Sequence, residues 1–117
     1  MVFVSIGYAA LVALIFILSG LIMKYKPPKE INALYGYRTS RSMKNIDLWR
    51  AGNKYSAELM IKYSIVAFLI GVLISFLFEE LIAILIISGL MLVKIVIMMI
   101  RVEGRLKELD EELQQRR

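Results

Sequence analysis

The sequence predicts an all-α integral membrane protein with three transmembrane helices, a cytoplasmic loop with an amphipathic helix, and a helical C-terminal tail. Three observations favour this fold. Apolar residues make up 59% of the 117 residues, they are gathered into long uncharged runs, and basic residues are concentrated between and after those runs. About 20 helical residues cross a bilayer core about 30 Å thick. We therefore expect a single membrane domain over residues 1–117.

Residues 1–23 contain no charged side chain and predict the first span. No Lys or Arg precedes this run and no Ala-x-Ala site follows it, so we expect a retained span rather than a signal peptide. Ser5, Ala9 and Ala13 recur every four residues and share one helical face. Small residues on one face let helices approach closely in lipid; a chance distribution of small residues is the alternative.

A long apolar run over residues 63–100 is interrupted by Glu79-Glu80. As one helix it would be about 57 Å long, nearly twice the hydrocarbon thickness, with two carboxylates at its middle. We therefore expect two antiparallel spans, near 58–78 and 81–100, with the two glutamates at the turn between them.

Lys94 lies inside the third predicted span. A lysine at the centre of a span costs about 2.5–3.5 kcal/mol on insertion scales. The thirteen Leu, Ile and Val residues of 81–100 outweigh this cost at about 0.3–0.6 kcal/mol each. Two interpretations stay open: a side chain that snorkels to the near membrane surface, or a buried ion pair or ligand contact.

The distribution of Lys and Arg predicts the orientation. Nine lie in residues 24–62 and five in the tail, residues 101–117, whereas the Glu79-Glu80 turn and the first 23 residues have none. Basic residues near span ends favour the cytoplasm. The N-terminus and the turn are therefore expected outside, and the loop and the C-terminus inside. This rule explains the basic composition without nucleic-acid binding, so no nucleic-acid partner is expected.

A signature loop, residues 24–57, separates the first two spans. Pro27-Pro28 end the first helix because proline lacks an amide donor and restricts the residue before it. Ser40 or Ser42 is the candidate N-cap of a helix that continues into the second span. Three residues spaced by four share one face of that helix: Asn45, Trp49 and Asn53.

The tail, residues 101–117, has apolar residues at helical spacing with charges between them. We expect it to extend the third helix, with Gly104 as a candidate kink. It has three candidate placements: on the membrane surface, against the 24–62 segment, or against another copy of the chain.

The chain contains no cysteine and no histidine, which removes thiolate nucleophiles, imidazole bases and Cys/His metal sites. The remaining candidate bases, Glu30, Asp47 and Glu58, sit in no recognisable catalytic motif. We therefore expect a protein that is not an enzyme and holds no cofactor or metal.

The segment 32–53 carries the strongest functional signal. Its aromatic rings suit the lipid headgroup zone, and its arginines suit lipid phosphates or a carboxylate. Simple interfacial anchoring is the alternative for any one of them. The rings are Tyr35, Tyr37 and Trp49, and the arginines are Arg38, Arg41 and Arg50.

This segment contains Asn32…Tyr35-Gly36-Tyr37-Arg38-Thr39, then Ser42…Lys44-Asn45…Trp49…Asn53, between two hydrophobic runs. In this order and setting it resembles the signature of the SdpI family of bacterial membrane proteins, over about residues 20–100. The resemblance implies an immunity or toxin-resistance protein of a bacterial or archaeal plasma membrane. Such a protein would bind a membrane-active peptide toxin, or a lipid or partner that the toxin needs. The positions that match the signature are the candidate binding residues: Asn32, Gly36, Tyr37, Arg38, Thr39, Asn45, Trp49 and Asn53.

Physical chemistry suggests roles for these positions. Gly36 would allow a backbone turn that bulkier residues do not, and Arg38 and Thr39 would bind an anionic group or a carbonyl. The three residues spaced by four would face that site from one side of the helix. A competing function is a small oligomeric transporter or channel with Lys62 and Lys94 along its pathway. Membrane lipids and a second copy of the chain are further expected partners.

Overall fold

The computed structural model describes residues 2–32 and 35–116, and all the regular structure within them is helical. Three helices follow one another along the chain: α1 (Val2–Tyr25), α2 (Ile46–Leu77) and α3 (Glu80–Gln115). Each is long and apolar enough to cross a membrane. The predicted all-helical fold with three spans is confirmed.

The membrane half of the bundle is packed through small side chains of α1. Ser5, Ala9 and Ala13 are all buried, and a Cβ added to Gly71 of α2 would lie 3.1 Å from Cβ of Ala9. The backbones of α1 and α2 therefore approach closely along the predicted small-residue face. Large apolar side chains of all three helices point outward instead, as a lipid environment requires.

The start of α2 differs from the expected one. The helix begins at Ile46, and its N-cap is Asn45, whose side chain accepts a hydrogen bond from the backbone N–H of Leu48 at 2.9 Å. Neither Ser40 nor Ser42 caps it, so that prediction is wrong. The reason lies in Ser42, whose hydroxyl and amide are both used in a turn with Thr39.

The tail packs against the 24–62 segment, the second of its three expected placements. Leu48 of α2 and both Val102 and Leu106 of α3 are fully buried in one apolar cluster beyond the spans. An ion pair joins Lys44 Nζ to Asp110 Oδ2 at 2.9 Å. The helix α3 runs on through Gly104 to Gln115. The end of the bundle that holds the loop and this tail is called the charged end below.

Candidate functional site

Tyr37 lies at the centre of the charged end. Its backbone N–H donates to Oδ1 of Asn53 at 2.7 Å, and its hydroxyl donates to Oε1 of Glu103 at 2.9 Å. The residue is only 8% exposed. Tyr37 therefore connects the loop to both α2 and α3 through one side chain and one amide.

Asn53 is bound entirely to the main chain. While its Oδ1 accepts from Tyr37, its Nδ2 donates to the carbonyl of Trp49 at 2.8 Å, and the residue is 1% exposed. An intramolecular hydrogen bond contributes about 0.5–1.5 kcal/mol net, but a buried group left unpaired costs about 1–3 kcal/mol. Asn53 thus stabilises the loop, and its polar atoms are not free for a ligand.

Gly36 is required by both its conformation and its surroundings. Its φ is +110°, in the region that favours glycine. A Cβ at this position would collide with Oδ1 of Asn53 and would lie 2.8 Å from Cγ of Pro28. The glycine therefore lets the loop pass directly over the asparagine, as the backbone-turn hypothesis for this residue anticipates.

Trp49 fixes the segment that follows α1. Its indole Nε1 donates to the carbonyl of Pro28 at 2.9 Å, and the residue is fully buried. A ring in the lipid headgroup zone would be partly exposed, so Trp49 is not an interfacial anchor. It packs inside the protein and holds the segment after α1 in place. Gly36, Tyr37, Ser42, Trp49 and Asn53 are called the signature clamp below.

Ser42 and Thr39 close a reciprocal turn. The Thr39 amide donates to Oγ of Ser42 at 2.8 Å, and the Ser42 amide donates to Oγ1 of Thr39 at 3.1 Å. Oγ of Ser42 also reaches the carbonyl of Tyr37 at 3.0 Å. Thr39 therefore shapes the loop with its hydroxyl, which the hypothesis of direct carbonyl binding had assigned to a ligand.

Asn32 and Asn45 are also engaged with the backbone. Oδ1 of Asn32 accepts from the amide of Tyr35 at 2.7 Å, which forms a turn, and its Nδ2 donates to the carbonyl of Glu30 at 2.9 Å. Asn45 is the helix cap described above. The structure thus brings these two asparagines into loop and helix termini and does not bring them into one pocket with Asn53.

Arg38 differs from the other seven predicted residues. Its side chain is exposed, and it forms no hydrogen bond or ion pair with any residue in the ranges 2–32 and 35–116. A guanidinium has five donors in a planar fork that fits a carboxylate or a phosphate. Arg38 is the one charged side chain of the predicted set, and it is exposed with no partner among the described residues.

Glu103 is the residue that sequence reasoning missed. It accepts from Tyr37, and its Oε2 lies 3.3 Å from Nη1 of Arg41, 62 residues away in the chain. Burial of the ring, and then the hydrogen bond and charge of Glu103, raise the pKa of the Tyr37 phenol well above its ordinary value. No local signal distinguishes this glutamate from the other acids of the tail.

Lys94 enters the bundle, so the snorkelling interpretation is wrong. Its Nζ lies 3.4 Å from Oγ of Ser64 in α2 and 3.7 Å from the ring centroid of Phe16 in α1. Lys62, by contrast, is exposed. The two lysines therefore do not line a common interior in one copy of the chain. Among the described residues no group of three or more acidic side chains is placed to hold a metal ion.

These features define a multi-pass α-helical membrane protein whose inter-helix loop is folded into a buried clamp at one end of the bundle. The chain matches the SdpI/YfhL protein family over residues 29–100. It belongs to this family, and the resemblance seen in its signature residues is confirmed. Glu103 and Asp110, which pair with the loop, lie beyond the matched range.

The chain is also similar to the uncharacterized protein YfhL of Bacillus subtilis (strain 168). The two are 47% identical over 60 residues, which cover 51% of this chain and 54% of that protein. The chain therefore spans about half the length of this curated relative. No solved structure matches the chain.

Proposed function

We propose that this protein gives its host resistance to a membrane-active peptide toxin, and that it acts by binding rather than by catalysis. Membership of the SdpI/YfhL family supports the proposal, as does the concentration of signature residues at the charged end. The binding partner is the toxin itself, or a lipid that the toxin needs to act.

The observation that carries the proposal is the contrast between Arg38 and its neighbours. The polar atoms of the signature clamp bind the backbone and the carboxylate of Glu103, and thereby hold one short stretch of chain in a fixed shape. Arg38 follows Tyr37 in that stretch and is exposed. When the backbone that carries a side chain is already ordered, less conformational entropy is lost as that side chain binds its target. Arg38 is thus presented for a carboxylate of a peptide or a phosphate of a lipid.

The orientation proposed here places the charged end in the cytoplasm and both the N-terminus and the Glu79-Glu80 turn outside the plasma membrane. The support is the absence of Lys and Arg from the first 23 residues and from the turn. In this orientation Arg38 lies on the cytoplasmic side of the bundle. The proposal therefore concerns a toxin that has already entered the bilayer.

The test is a survival assay in a sensitive bacterial host challenged with membrane-permeabilising peptides. The intact protein is compared with Arg38→Ala and with Arg105→Ala, a control that removes an exposed arginine from α3. We expect protection from the intact protein and from Arg105→Ala, and at least a tenfold loss of survival with Arg38→Ala at equal membrane abundance. No protection by the intact protein contradicts the function; full protection by Arg38→Ala contradicts the site.

A further inference from the structure

A cleft of about 520 Å³ opens on the side of α2 that faces the end of α1, away from α3. The Pro27–Lys29 segment forms its third wall. Its charged lining consists of four basic side chains and one carboxylate: Lys24, Lys29, Arg50, Lys54 and Glu58. All five are exposed. It is called the basic cleft below.

The four cations of the basic cleft have no acidic partner within ion-pair distance among the described residues, whereas those on the opposite side of the loop do. Arg41 pairs with Glu103, and Lys44 pairs with Asp110. In the cleft, Arg50 and Lys54 are one helical turn apart, so two like charges share a face at a small cost in helix stability. The chain therefore neutralises one set of loop cations internally and leaves the other set for an external anion.

The wall of the basic cleft is held by the signature clamp. The carbonyl of Pro28 accepts from Trp49, and the ring of Pro28 lies against Gly36. The hydroxyl of Tyr35 donates to the carbonyl of Lys26 at 2.8 Å. The backbone that carries Lys29 is thus fixed from two sides, and the cleft is formed before any ligand arrives.

The depth of the cleft matches the lipid headgroup zone. A Cβ on Gly20 would lie 3.1 Å from the carbonyl of Ala57, so these two positions are level in the antiparallel pair of helices. Lys24 is one turn beyond Gly20, and Lys54 is about one turn before Ala57. The uncharged run of α1 ends at Met23. The cations therefore lie just outside the hydrocarbon core, where lipid phosphates lie.

From these contacts we infer that the basic cleft binds the phosphate headgroup of an anionic membrane lipid. Arg50 and Lys54 supply charge-assisted hydrogen bonds to the phosphate from α2, and Lys24 and Lys29 supply them from the opposite wall. Met23 and Tyr25 add apolar surface to the lining of the same cleft. The inference is independent of the proposed toxin resistance, because it uses none of the chemistry of Arg38.

The test is native mass spectrometry of the full chain in detergent, titrated with phosphatidylglycerol, phosphatidylcholine or inorganic phosphate. Arg50→Gln/Lys54→Gln is compared with Arg105→Gln/Lys107→Gln, which removes the same charge from exposed positions of α3. A second test variant, Lys24→Gln/Lys29→Gln, alters the opposite wall. Thermal unfolding verifies that each variant is folded.

We expect one phosphatidylglycerol to bind the intact protein and the α3 control with equal affinity, and at least tenfold more weakly to either cleft variant. Phosphatidylcholine should bind the intact protein as weakly as phosphatidylglycerol binds the cleft variants. Millimolar inorganic phosphate should not displace phosphatidylglycerol from the intact protein. Equal phosphatidylglycerol binding by the cleft variants and the α3 control overturns the site. Equal binding of the two lipids overturns the anionic selectivity, and displacement by inorganic phosphate overturns a lipid as the source.

Discussion

The side-chain oxygen of Asn53 accepts the backbone N–H of Tyr37 at 2.7 Å, in a position where both residues are buried. This bond places the loop on top of α2, and the hydroxyl of the same tyrosine then reaches Glu103 of α3. An amide acceptor on one helix thereby sets the path of the loop, and one tyrosine joins it to the other helix. The signature of this family is, in this chain, largely a folding element.

Replacement of Gly36 by alanine should destabilise the protein by more than about 1 kcal/mol, because φ is +110° and the new Cβ collides with Asn53 and Pro28. Gly104→Ala is the matched control. It lies inside α3, where the added Cβ would meet no described atom within 4 Å apart from its chain neighbours and the backbone of its own helix. The substitution should therefore stabilise the protein by about 0.5–1 kcal/mol. Thermal unfolding in one detergent measures both. Equal unfolding temperatures for Gly36→Ala and Gly104→Ala would show that the turn does not require glycine.

Tyr37 should make stability fall at alkaline pH. Burial and Glu103 raise the pKa of its phenol in the folded state, while Thr39 and then Arg41 oppose this more weakly. A group whose pKa is raised on folding contributes fully below its unfolded pKa, about 10 for tyrosine, and loses that contribution as the pH rises above it. Tyr37→Phe should be less stable by about 0.5–1.5 kcal/mol at neutral pH.

The difference in unfolding free energy between wild type and Tyr37→Phe should therefore narrow above about pH 10. Tyr8→Phe, which alters a tyrosine on the membrane side of the bundle, controls for general alkaline effects. A difference that stays constant between pH 7 and pH 11 would exclude the link between the phenol and Glu103.

Lys94→Met should raise the stability of the bundle. The ammonium is buried against Phe16 and Ser64, and no carboxylate of residues 2–32 and 35–116 pairs with it. Loss of a desolvated cation–π contact costs about 2 kcal/mol, whereas the desolvation cost that disappears amounts to several kcal/mol. The exposed Lys62→Met is the control, with little expected change. If Lys94→Met lowers the unfolding temperature and Lys62→Met does not, the contacts of Lys94 stabilise the bundle by more than the cost of desolvating its ammonium.

The absence of native cysteine makes the orientation directly measurable. Single variants Ser40→Cys and Glu79→Cys place a thiol at exposed positions of opposite ends of the bundle. A membrane-impermeant thiol reagent added to intact cells should label the second variant, and the first only after permeabilisation. The reverse pattern would invert the proposed orientation.

Much of the fold is readable in the sequence because spans depend on local composition. Glu79-Glu80 divides a run too long for one helix, and the turn at Phe78 and Glu79 lies where the carboxylates predict it. The sequence also singles out the signature residues, but it predicts them to be ligand-binding groups. Asn53 and Trp49 bind carbonyls and amides of the loop itself, which spacing along a helix does not reveal.

The parts that escaped prediction depend on contacts between distant residues. Glu103 meets Tyr37 across 66 positions, and nothing in its neighbourhood marks it among the acids of the tail. Ser42 and Asn45 are both good N-caps by type. Ser42 is hydrogen-bonded to Thr39 in a turn and does not cap the helix. Asn45 caps α2 instead.

The central claim, that the signature is a buried clamp, is tested most directly by hydrogen exchange at the Tyr37 amide in lipid nanodiscs. Since this amide donates to the buried Asn53, it should exchange at least about 100-fold more slowly than the amide of the adjacent Arg38, for which the described residues provide no acceptor. Asn53→Ala should abolish the protection. Exchange of Tyr37 as fast as that of Arg38 in the intact protein would contradict the clamp.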